Sequence, residues 1–464
     1  MAKTKILATL GPSSWSSWNM LENMINVGLD GFRINMSHVK DYNLIAKLIS
    51  DIRVKAPNIF IAADLEGPKI RLGTIEKPIA IEKGQIIKIA PQSECASDCV
   101  PIQVEHVYKH VIPGNTLLIN DGAVGLQVTD IKDKIIYTKV LYGMQLESRK
   151  GVNIPNAYVP MKFLSQKDKF NLDFLVKNEI DYVSASFTQR ADDLKELRSN
   201  MGNSNTKIIA KIENHEGLKN FDSILDCTDA VMVARGDLGM EIEPIYVPEN
   251  QKMMINKCNR SGKMVITATQ MLESMMTCLE PKRAEISDIF NAVLDGTDVV
   301  MLSGETSMGQ YPIESIDVMN KTLERAELYF KSTGKSKEIA DKIIPYLGNG
   351  YEDIISGAIN AAINTNGIGA IITLTLSGYT TQRIARFRSD IPIIALTPNP
   401  MIARQLNAVW GVNAYNIELD RSNIISESLK YISSNNIVPK GTQVIVASGS
   451  KIGTTDMMQI AVLE

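Results

Sequence analysis

The chain has few cysteines, no excess charge of one sign and no long apolar run. Its five cysteines are an odd number spread thinly over 464 residues, which predicts no disulfide framework and favours a reducing, cytoplasmic compartment. Cys95 and Cys99 lie close together, but no second Cys or His pair with zinc-ligand spacing follows them, so no zinc site is expected. No stretch reaches the roughly eighteen apolar residues of a membrane span, and no address signal is visible. We therefore expect a soluble protein without a membrane partner.

The charge balance narrows the possible partners. Lys and Arg total 49 and Asp and Glu total 52, so the net charge of -3 is too balanced for a nucleic-acid binder that depends on a basic surface. We expect small-molecule partners and no nucleic acid. A chain of 464 residues also exceeds the size at which one core usually keeps growing, so two or three domains are expected.

Short apolar runs recur along most of the chain. Apart from one long gap they lie about 25 to 35 residues apart, with helix-like patterns between them at 192–198 and 250–259. Repeated strand and helix units of this kind predict an α/β fold, a (β/α)8 barrel. The eight runs are 5–10, 31–35, 59–63, 181–186, 207–212, 230–234, 264–268 and 298–302.

Polar side chains follow these runs at the point where each strand is expected to end. In a (β/α)8 barrel the active site gathers at the carboxyl ends of the strands, so we expect these side chains to face a common site. They are Arg33, Asn35, Asp64, Lys211, Glu213, Arg235, Asp237, Thr269, Ser303 and Glu305.

Two further regions depart from the barrel pattern. The gap at 72–159 has Gly and Pro punctuating short β-branched runs such as 85–89 and 135–140, which predicts an inserted all-β domain that caps the barrel mouth. The barrel itself is assigned to 1–71 and 160–335. Residues 336–464 alternate again, with helices expected near 351–364, 380–388, 400–408 and 422–434, and form a separate α/β domain.

Lys211, Glu213 and Asp237 together offer an ammonium and two carboxylates, which suit phosphoryl transfer. The transferred group spreads negative charge over its oxygens, so the catalyst must supply a divalent cation and fixed positive charge. Mg²⁺ prefers one or two protein carboxylates plus substrate oxygens. The turn at 234–237 presents backbone N–H groups that suit a carboxylate or phosphate.

Each of these features also has a simpler interpretation. Lys211 and Glu213 taken alone are compatible with a structural ion pair, and the Thr269 hydroxyl with a helix cap. Arg33 and Arg71 taken alone are compatible with solvated surface charges, although both would suit phosphate oxygens on the expected active face. The common placement of these groups after strands favours a shared site over separate structural roles.

Taken together, the motifs resemble pyruvate kinase, and the resemblance covers nearly the whole chain. Many long motifs in the same order make the match specific. They are Thr9–Pro12, Phe32–His38, Asp64–Arg71, Lys150–Pro155, Lys211–Gly217, Ala234–Gly239, Thr267–Met275 and Leu302–Thr306.

The resemblance implies transfer of the phosphoryl group of phosphoenolpyruvate to ADP, which gives pyruvate and ATP in glycolysis. It implies that Glu213 and Asp237 bind Mg²⁺ or Mn²⁺, and that Lys211 stabilises the transferred group and the developing enolate. It also implies that Gly236, Asp237 and Thr269 hold the substrate, with Thr269 and Ser303 near the proton-delivery path. The remaining implied contacts are Arg33 to the phosphoryl group and Asn35, His38, Arg71 and Lys150 to the nucleotide.

One position departs from the better-known form of the family. Many members need K⁺ and carry a Glu where this chain has Lys69, so the charge is reversed here. A tethered ammonium would supply the positive potential of the ion, and we expect the K⁺-independent branch and activity without K⁺. The ligand-type residues Asn35, Ser37 and Asp64 nevertheless remain. The alternative is that Lys69 only pairs with Glu66 on the surface.

The C-terminal region resembles the family's regulatory domain with changes. Thr375, Ser377, Gly378 and Thr380 match a loop that binds an effector phosphate, but Leu376 replaces a lysine of members activated by fructose 1,6-bisphosphate. The matching loop at 448–455 is short and lacks a Trp and an Arg. We expect a monophosphate effector such as AMP or a sugar monophosphate, or no regulation. The resemblance also implies a homotetramer, with Arg283 and Asp288 in the segment that touches a neighbouring subunit.

Two other classes of function remain as alternatives. One is another barrel enzyme acting on an enolate, of the aldolase or phosphoenolpyruvate mutase type, which would need no nucleotide. The other is a non-catalytic sensor of nucleotides or sugar phosphates. Arg71, Lys150 and the cap argue against the first, and the complete set of site residues argues against the second.

Overall fold

The computed structural model describes residues 2–15, 17–363, 367–418, 423–449 and 454–464. The amino-terminal part alternates strands and helices. Asp41 begins the second helix by accepting the backbone N–H groups of Asn43 and Leu44, which are donors that a helix start leaves unpaired. The elements are β1 (Lys5–Thr9), α1 (Trp18–Asn26), β2 (Gly31–Asn35), α2 (Tyr42–Lys55) and β3 (Phe60–Asp64).

The chain then leaves the barrel and forms the cap. A six-stranded sheet has the order β11-β7-β8-β9-β5-β6, and β10 pairs with β4 in a separate ribbon. The cap has its own apolar core, separate from that of the barrel. Its strands are β4 (Ile79–Ala80), β5 (Ile86–Pro91), β6 (Val100–Ile102), β7 (Thr116–Ile119), β8 (Val124–Lys132), β9 (Ile135–Tyr142), β10 (Gln145–Leu146) and β11 (Val152–Asn153).

The chain returns to the barrel at α3, whose start Ser165 and Asp168 fix as a capping box. The remaining barrel elements are α3 (Gln166–Lys177), β12 (Tyr182–Ala185), α4 (Ala191–Met201), β13 (Lys207–Ile212), α5 (His215–Lys219), α6 (Phe221–Cys227), β14 (Ala230–Ala234), α7 (Arg235–Glu241), α8 (Val247–Ser261), β15 (Met264–Ala268), α9 (Arg283–Asp295), β16 (Val299–Leu302), α10 (Gly304–Ser307) and α11 (Pro312–Ser332).

Eight parallel strands close into a barrel in the order β1-β16-β15-β14-β13-β12-β3-β2. The predicted barrel is confirmed, and each predicted run overlaps one of these strands. The strands are buried on both faces, which explains why they read as continuous apolar runs rather than as alternating ones. Side chains such as Phe60, Met232 and Ile266 fill the interior, so the barrel is a packed core and its chemistry lies at the strand ends.

The C-terminal domain is a five-stranded sheet in the order β19-β18-β17-β20-β21, with only β21 antiparallel to its neighbour among these strands. No helix in the described part of the chain is long and apolar enough to cross a membrane. The elements are α12 (Lys335–Ile343), α13 (Tyr351–Ile363), β17 (Ala370–Leu374), α14 (Tyr379–Ala385), β18 (Ile393–Thr397), α15 (Pro400–Leu406), β19 (Val412–Asn416), α16 (Ile424–Ser434), β20 (Gln443–Ser448) and β21 (Met457–Val462).

This domain docks against the amino ends of the barrel strands through buried ion pairs. Arg388 Nη1 lies 2.7 Å from Asp298 Oδ1, just before β16, and Arg404 Nε lies 2.8 Å from Asp181 Oδ1, just before β12. The opposite ends of the same strands remain free for the site.

Within the cap, the loop between β5 and β6 joins Cys95 and Cys99 as a disulfide, with Cα atoms 5.7 Å apart. This bond was not predicted from the sequence, where neither a disulfide framework nor a zinc site was expected. It is one short link rather than a framework, because only four positions separate the two residues. Cys227, Cys258 and Cys278 are free.

Candidate active site

A buried charge cluster lies at the carboxyl ends of β2, β3 and β13. Lys211 Nζ lies 2.9 Å from Glu213 Oε1 and 3.1 Å from Asp64 Oδ2. Arg33 Nη2 donates to the same Asp64 oxygen at 2.8 Å. All four residues are buried. The parallel strands therefore bring four of the sequence-predicted residues together from three separate parts of the chain.

The cluster fixes the charges of its members. Burial opposes ionisation of Asp64, but Arg33 and Lys211 outweigh it and hold the pKa of this carboxyl well below its usual range. Burial would likewise lower the pKa of Lys211, but Glu213 and Asp64 outweigh it and raise the pKa above its ordinary value. Lys211 is therefore a permanent ammonium, which suits a group that stabilises developing negative charge.

Glu213 and Asp237 form a second feature, a pair of carboxylates close enough to influence one another. Burial raises the pKa of Glu213 and the nearby Asp237 raises it further, although Lys211 opposes both effects. The backbone N–H of Phe187 donates to Glu213 Oε2 at 2.6 Å and fixes its orientation. Repulsion between two such carboxylates is relieved by a divalent cation between them.

The donor set also fits the expected metal. Across the described ranges, no group of three or more His, Cys, Asp or Glu side chains converges as a metal site would. Mg²⁺ needs fewer protein ligands than that, because it keeps water and substrate oxygens in its shell. Glu213 and Asp237 therefore match Mg²⁺ or Mn²⁺ rather than a metal held by a closed protein cage.

A strained loop after β15 presents Thr269. Thr269 has φ 68° and Gln270 has φ 55°, a left-handed conformation that non-glycine residues rarely adopt. Thr269 Oγ1 donates to Ala268 O at 2.6 Å and accepts the backbone N–H of Gly236 at 2.8 Å. The hydroxyl is thereby held beside the first turn of α7, which carries Gly236 and Asp237.

Arg235 supports this loop instead of facing substrate. Its Nε donates to Ala268 O at 3.2 Å, and its Nη1 lies 2.6 Å from Asp288 Oδ2. Asp288, expected in the subunit-contact segment, is thus engaged by its own chain. Arg283 is exposed at the start of α9.

Lys69 enters the site from the connection to the cap. Its Nζ lies 2.8 Å from Asp237 Oδ1 and 3.9 Å from Asp121 Oδ1 of the cap. The alternative pairing with Glu66 is not what the structure shows, because Glu66 contacts Arg71 at 3.3 Å and Lys167 at 3.2 Å. The reversed charge at position 69 therefore acts at the candidate metal carboxylate.

The expected nucleotide positions lie on the rim and are less buried. Asn35 Oδ1 accepts the Ser37 N–H at 3.1 Å and starts the 3-10 turn that ends at the exposed His38. Lys150 Nζ lies 3.0 Å from Glu147 Oε2, within the cap. The structure does not bring Lys150 into the buried cluster.

Arg71 and Ser303 are likewise held by their own surroundings. Arg71 Nη1 donates to Arg149 O at 3.4 Å, beside the cap connection. Ser303 donates its backbone N–H to Glu305 Oε2 at 2.7 Å, and Glu305 Oε1 accepts from Leu272 N at 3.1 Å. Glu305 therefore ties the loop after β15 to the loop after β16.

Two residues that orient the cations of the cluster were not predicted from the sequence. Thr9 Oγ1 accepts from Arg33 Nη1 at 2.9 Å, and Ser186 Oγ accepts from Lys211 Nζ at 3.0 Å. Thr9 ends β1 and Ser186 follows β12, so the rule that polar groups at strand ends face the site would have found both. Their short side chains orient the two cations of the cluster.

The expected effector loop uses its polar groups locally. Thr375 Oγ1 accepts the Gly378 N–H at 2.9 Å, and Thr380 Oγ1 lies 2.6 Å from Thr455 Oγ1. Ser377 Oγ accepts the Tyr379 N–H at 3.4 Å. Residues 450–453 of the second predicted loop lie outside the described residues.

Comparisons with known proteins point in one direction. A family model described as "Pyruvate kinase, barrel domain" matches residues 1–316, and one described as "Pyruvate kinase, alpha/beta domain" matches residues 352–461. A pyruvate kinase of Clostridium acetobutylicum is 38% identical over 478 residues, covering 100% of both chains. A pyruvate kinase of Bacillus licheniformis is 38% identical, covering 100% of this chain and 81% of its own.

A solved structure agrees with these sequence matches. The crystal structure of a pyruvate kinase from Cryptosporidium parvum superposes with a TM-score of 0.93 at 35% identity, covering 100% of this chain and 96% of that one. The similarity thus extends over the barrel, the cap and the C-terminal domain together.

Proposed function

Because the chain belongs to the pyruvate kinase family, and is therefore a phosphotransferase, we propose that it transfers the phosphoryl group of phosphoenolpyruvate to ADP and yields pyruvate and ATP. The observation that carries this proposal is the buried ammonium of Lys211 between Asp64 and Glu213. An ammonium held in a desolvated site is worth far more to a developing negative charge than one in water.

The residues of the chain divide the work as follows. Lys211 stabilises the phosphoryl group in transfer and the enolate oxygen left behind. Arg33, oriented by Thr9 and Asp64, holds the phosphoryl oxygens. The backbone N–H groups of Gly236 and Asp237 bind the substrate carboxylate at the start of α7.

The final step is protonation of the enolate at its methylene carbon. Thr269 holds its hydroxyl beside the Gly236 N–H, at the start of α7 where we propose that the substrate binds. We assign Thr269 to the proton-delivery path, with Ser303 as a second hydroxyl of that path. A hydroxyl relays a proton without itself carrying charge, which suits a site already crowded with ions.

Glu213 and Asp237 would hold the divalent cation, Mg²⁺ or Mn²⁺. When bound, the cation neutralises charge on the substrate oxygens during transfer. The mutual repulsion of the two carboxylates and their number support this assignment. Asn35, His38, Arg71 and Lys150 would contact the nucleotide, with Lys150 and the cap closing over it.

We also propose that K⁺ is not required. Lys69 supplies a positive charge 2.8 Å from Asp237 Oδ1, with its side chain only 17% exposed. Of the positions typical of a K⁺ site, Asp64 is engaged by Arg33 and Lys211, and Asn35 Oδ1 accepts from Ser37 N. A fixed ammonium needs no ion from solution to offset the phosphate charge.

The remaining parts of the proposal concern assembly and regulation. We propose a cytoplasmic homotetramer in which the exposed Arg283 contacts a neighbouring subunit. For the loop of Thr375, Ser377, Gly378 and Thr380 we propose binding of one phosphate group of a monophosphate, not of a bisphosphate. Calorimetric titration with fructose 1,6-bisphosphate and AMP tests this point, since tight bisphosphate binding would contradict it.

The first test is pyruvate formation from phosphoenolpyruvate, ADP and Mg²⁺ in buffer free of K⁺, repeated after K⁺ is added. We expect equal, high rates in both buffers. Activity only with K⁺ would keep the kinase assignment and reject the role of Lys69. Turnover without ADP, or none at all, would reject the kinase assignment.

A further inference from the structure

The short helix α7 connects the substrate end of the site to the cap. Its first turn carries Gly236 and Asp237, and its last two residues are Met240 and Glu241. Four residues of helix span about 6 Å, so whatever contacts Glu241 acts close to the substrate carboxylate. The function proposed above makes no use of this far end.

Glu241 forms a hydrogen bond across the boundary between the barrel and the cap. Asn153 on β11 donates from Nδ2 to Glu241 Oε1 at 2.7 Å, and the backbone N–H of Ile154 also interacts with this carboxyl group. Asn153 is only 3% exposed. β11 is the last strand of the cap, so the contact lies on the connection through which the cap returns to the barrel.

A second cap segment touches the same end of the helix. The turn of Asn120, Asp121 and Gly122 has φ values of 55°, 52° and 82°, and a Cβ on Gly122 would lie 3.0 Å from Met240 Sδ. Asn120 N also donates to Gly151 O at 3.0 Å, which ties this turn to the segment before β11. Two cap segments, joined to each other by this hydrogen bond, thus lie against the last two residues of α7.

The opposite end of α7 is fixed to the barrel. Gly236 N donates to Thr269 Oγ1, and Arg235 bonds Asp288 and the loop after β15. A short helix that is bonded to the barrel at one end and to the cap at the other moves as a rigid element. A displacement of the cap is therefore passed along the helix axis. A change in cap position therefore reaches Gly236 and Asp237.

The contact between Glu241 and Asn153 buries a carboxyl group, which disfavours its charged form, and an apolar side chain would pack there without this cost. Burial raises the pKa of Glu241 to about 7, and nearby Asp237 adds to the effect, although Asn153 and Lys69 partly oppose it. A buried carboxyl group whose charged form is disfavoured departs from the usual pattern of folded proteins, and such departures occur mainly at functional sites. A carboxyl group has two oxygens and so accepts from both Asn153 and Ile154, which one amide oxygen of Gln does less well.

We infer that Glu241 is a positioning residue that couples closure of the cap to the substrate end of α7, with Asn153 as its partner in the cap. The inference rests on the proposed function, in which Lys150 of the same cap contacts the nucleotide when the cap closes. Loss of the contact misplaces the cap over a bound substrate without removing any group that touches the reacting atoms.

The test is a double-mutant cycle with steady-state kinetics for both substrates. We expect Glu241→Ala and Asn153→Ala each to lower kcat about tenfold and to raise KM for ADP more than KM for phosphoenolpyruvate. The double variant should be no worse than the worse single one, and Glu241→Gln should lose only about threefold. Asn115→Ala is the matched control, because Asn115 caps a turn elsewhere in the cap.

Three kinetic outcomes would overturn the inference. One is that the two single effects multiply in the double variant, which means that the residues act separately. Another is that Asn115→Ala lowers kcat as much as Asn153→Ala, which means that general loosening of the cap explains the loss. Equal increases of both KM values would also contradict it.

Hydrogen–deuterium exchange provides a readout that does not depend on turnover. We expect Glu241→Ala to speed exchange in residues 151–154 and 119–123 with Mg²⁺ and phosphoenolpyruvate present, and to leave the C-terminal domain unchanged. Unchanged exchange in these segments would reject the coupling even if the enzyme is active. Absence of turnover in the unmodified protein would reject the proposed function, while the exchange result would still decide the contact.

Discussion

The two ends of the barrel both bury charged residues but treat them differently. At the amino ends, Asp181 receives Arg404 at Oδ1 at 2.8 Å, while Arg53 at 2.9 Å and the Ile61 N–H at 2.8 Å reach its Oδ2. Each oxygen of this carboxylate has a donor and no carboxylate contacts it there. The arrangement satisfies a buried charge, which is what holding two domains together requires.

At the carboxyl ends of the strands, two carboxylates lie close enough to repel one another. Burial and the nearby Asp237 raise the pKa of Glu213, and the backbone at Phe187, Thr269 and Gln270 is left-handed. Strain and like-charge repulsion persist only where the surrounding structure holds them in place. The comparison teaches that Asp181 at the structural end meets only donors, whereas at the end available for chemistry Glu213 has a second carboxylate, Asp237, nearby in addition to its cation.

The largest expected effect separates the two ends of a single strand. Lys211→Met removes the ammonium at the carboxyl end of β13, and we expect kcat to fall by about 10³-fold because a preorganised charge is lost. Lys207→Met changes the same residue type at the amino end and should leave kcat within about twofold. Pyruvate formation measures both, and a similar loss in the two variants would break the comparison.

The next effect concerns stability instead of rate. Arg388→Met leaves Asp298 buried without its cation, and removing one partner of a buried pair costs about 3–5 kcal/mol. We expect urea unfolding to show that loss while kcat at low temperature stays near normal. Arg325→Met, on the exposed side of α11, is the control and should change stability by under about 0.5 kcal/mol.

The third prediction concerns the ammonium of Lys69 at the carboxyl ends of the strands. Lys69→Met should lower the rate in K⁺-free buffer by about tenfold or more, because Asp237 loses its neighbouring positive charge. Added K⁺ should restore part of this rate, since Asn35, Ser37 and Asp64 remain. Lys167→Met removes a nearby lysine that contacts Glu66 and should show no response to K⁺. A K⁺ response in the unmodified protein as large as in Lys69→Met would contradict the assignment.

The sequence predicted the barrel well because its signal is local. A strand buried on both faces must be an apolar run, and its polar neighbours must lie at its ends, so Lys211 and Asp64 could be placed on one face without coordinates. The helix Lys335–Ile343 was not predicted, because it lies at the assumed boundary between the barrel and the C-terminal domain.

Contacts between segments that are distant along the chain could not be predicted from the sequence. Asp168 accepts the Glu66 N–H at 2.9 Å across 102 positions, and Asn153 meets Glu241 across 88. Nothing in the spacing of either pair indicates the contact, because it depends on how the cap sits on the barrel. Arg235 was placed correctly at a strand end, but only the structure shows that it supports the loop after β15.

The smallest expected effect is a pH dependence of stability that Glu241 contributes. Its folded pKa of about 7 lies above the ordinary 4.5, so between these values the folded state holds a proton that the unfolded state has released. Stability from this group is therefore full below pH 4.5 and is lost as pH rises through 7, by at most about 1.4 kcal/mol per pH unit. Glu241→Gln should flatten urea unfolding free energies between pH 5 and 7 by about that slope, measured without metal. Asp64 has the opposite shift and loses its contribution only in strong acid, so an unchanged slope in Glu241→Gln would show that Glu241 does not hold a proton in the folded state over this pH range.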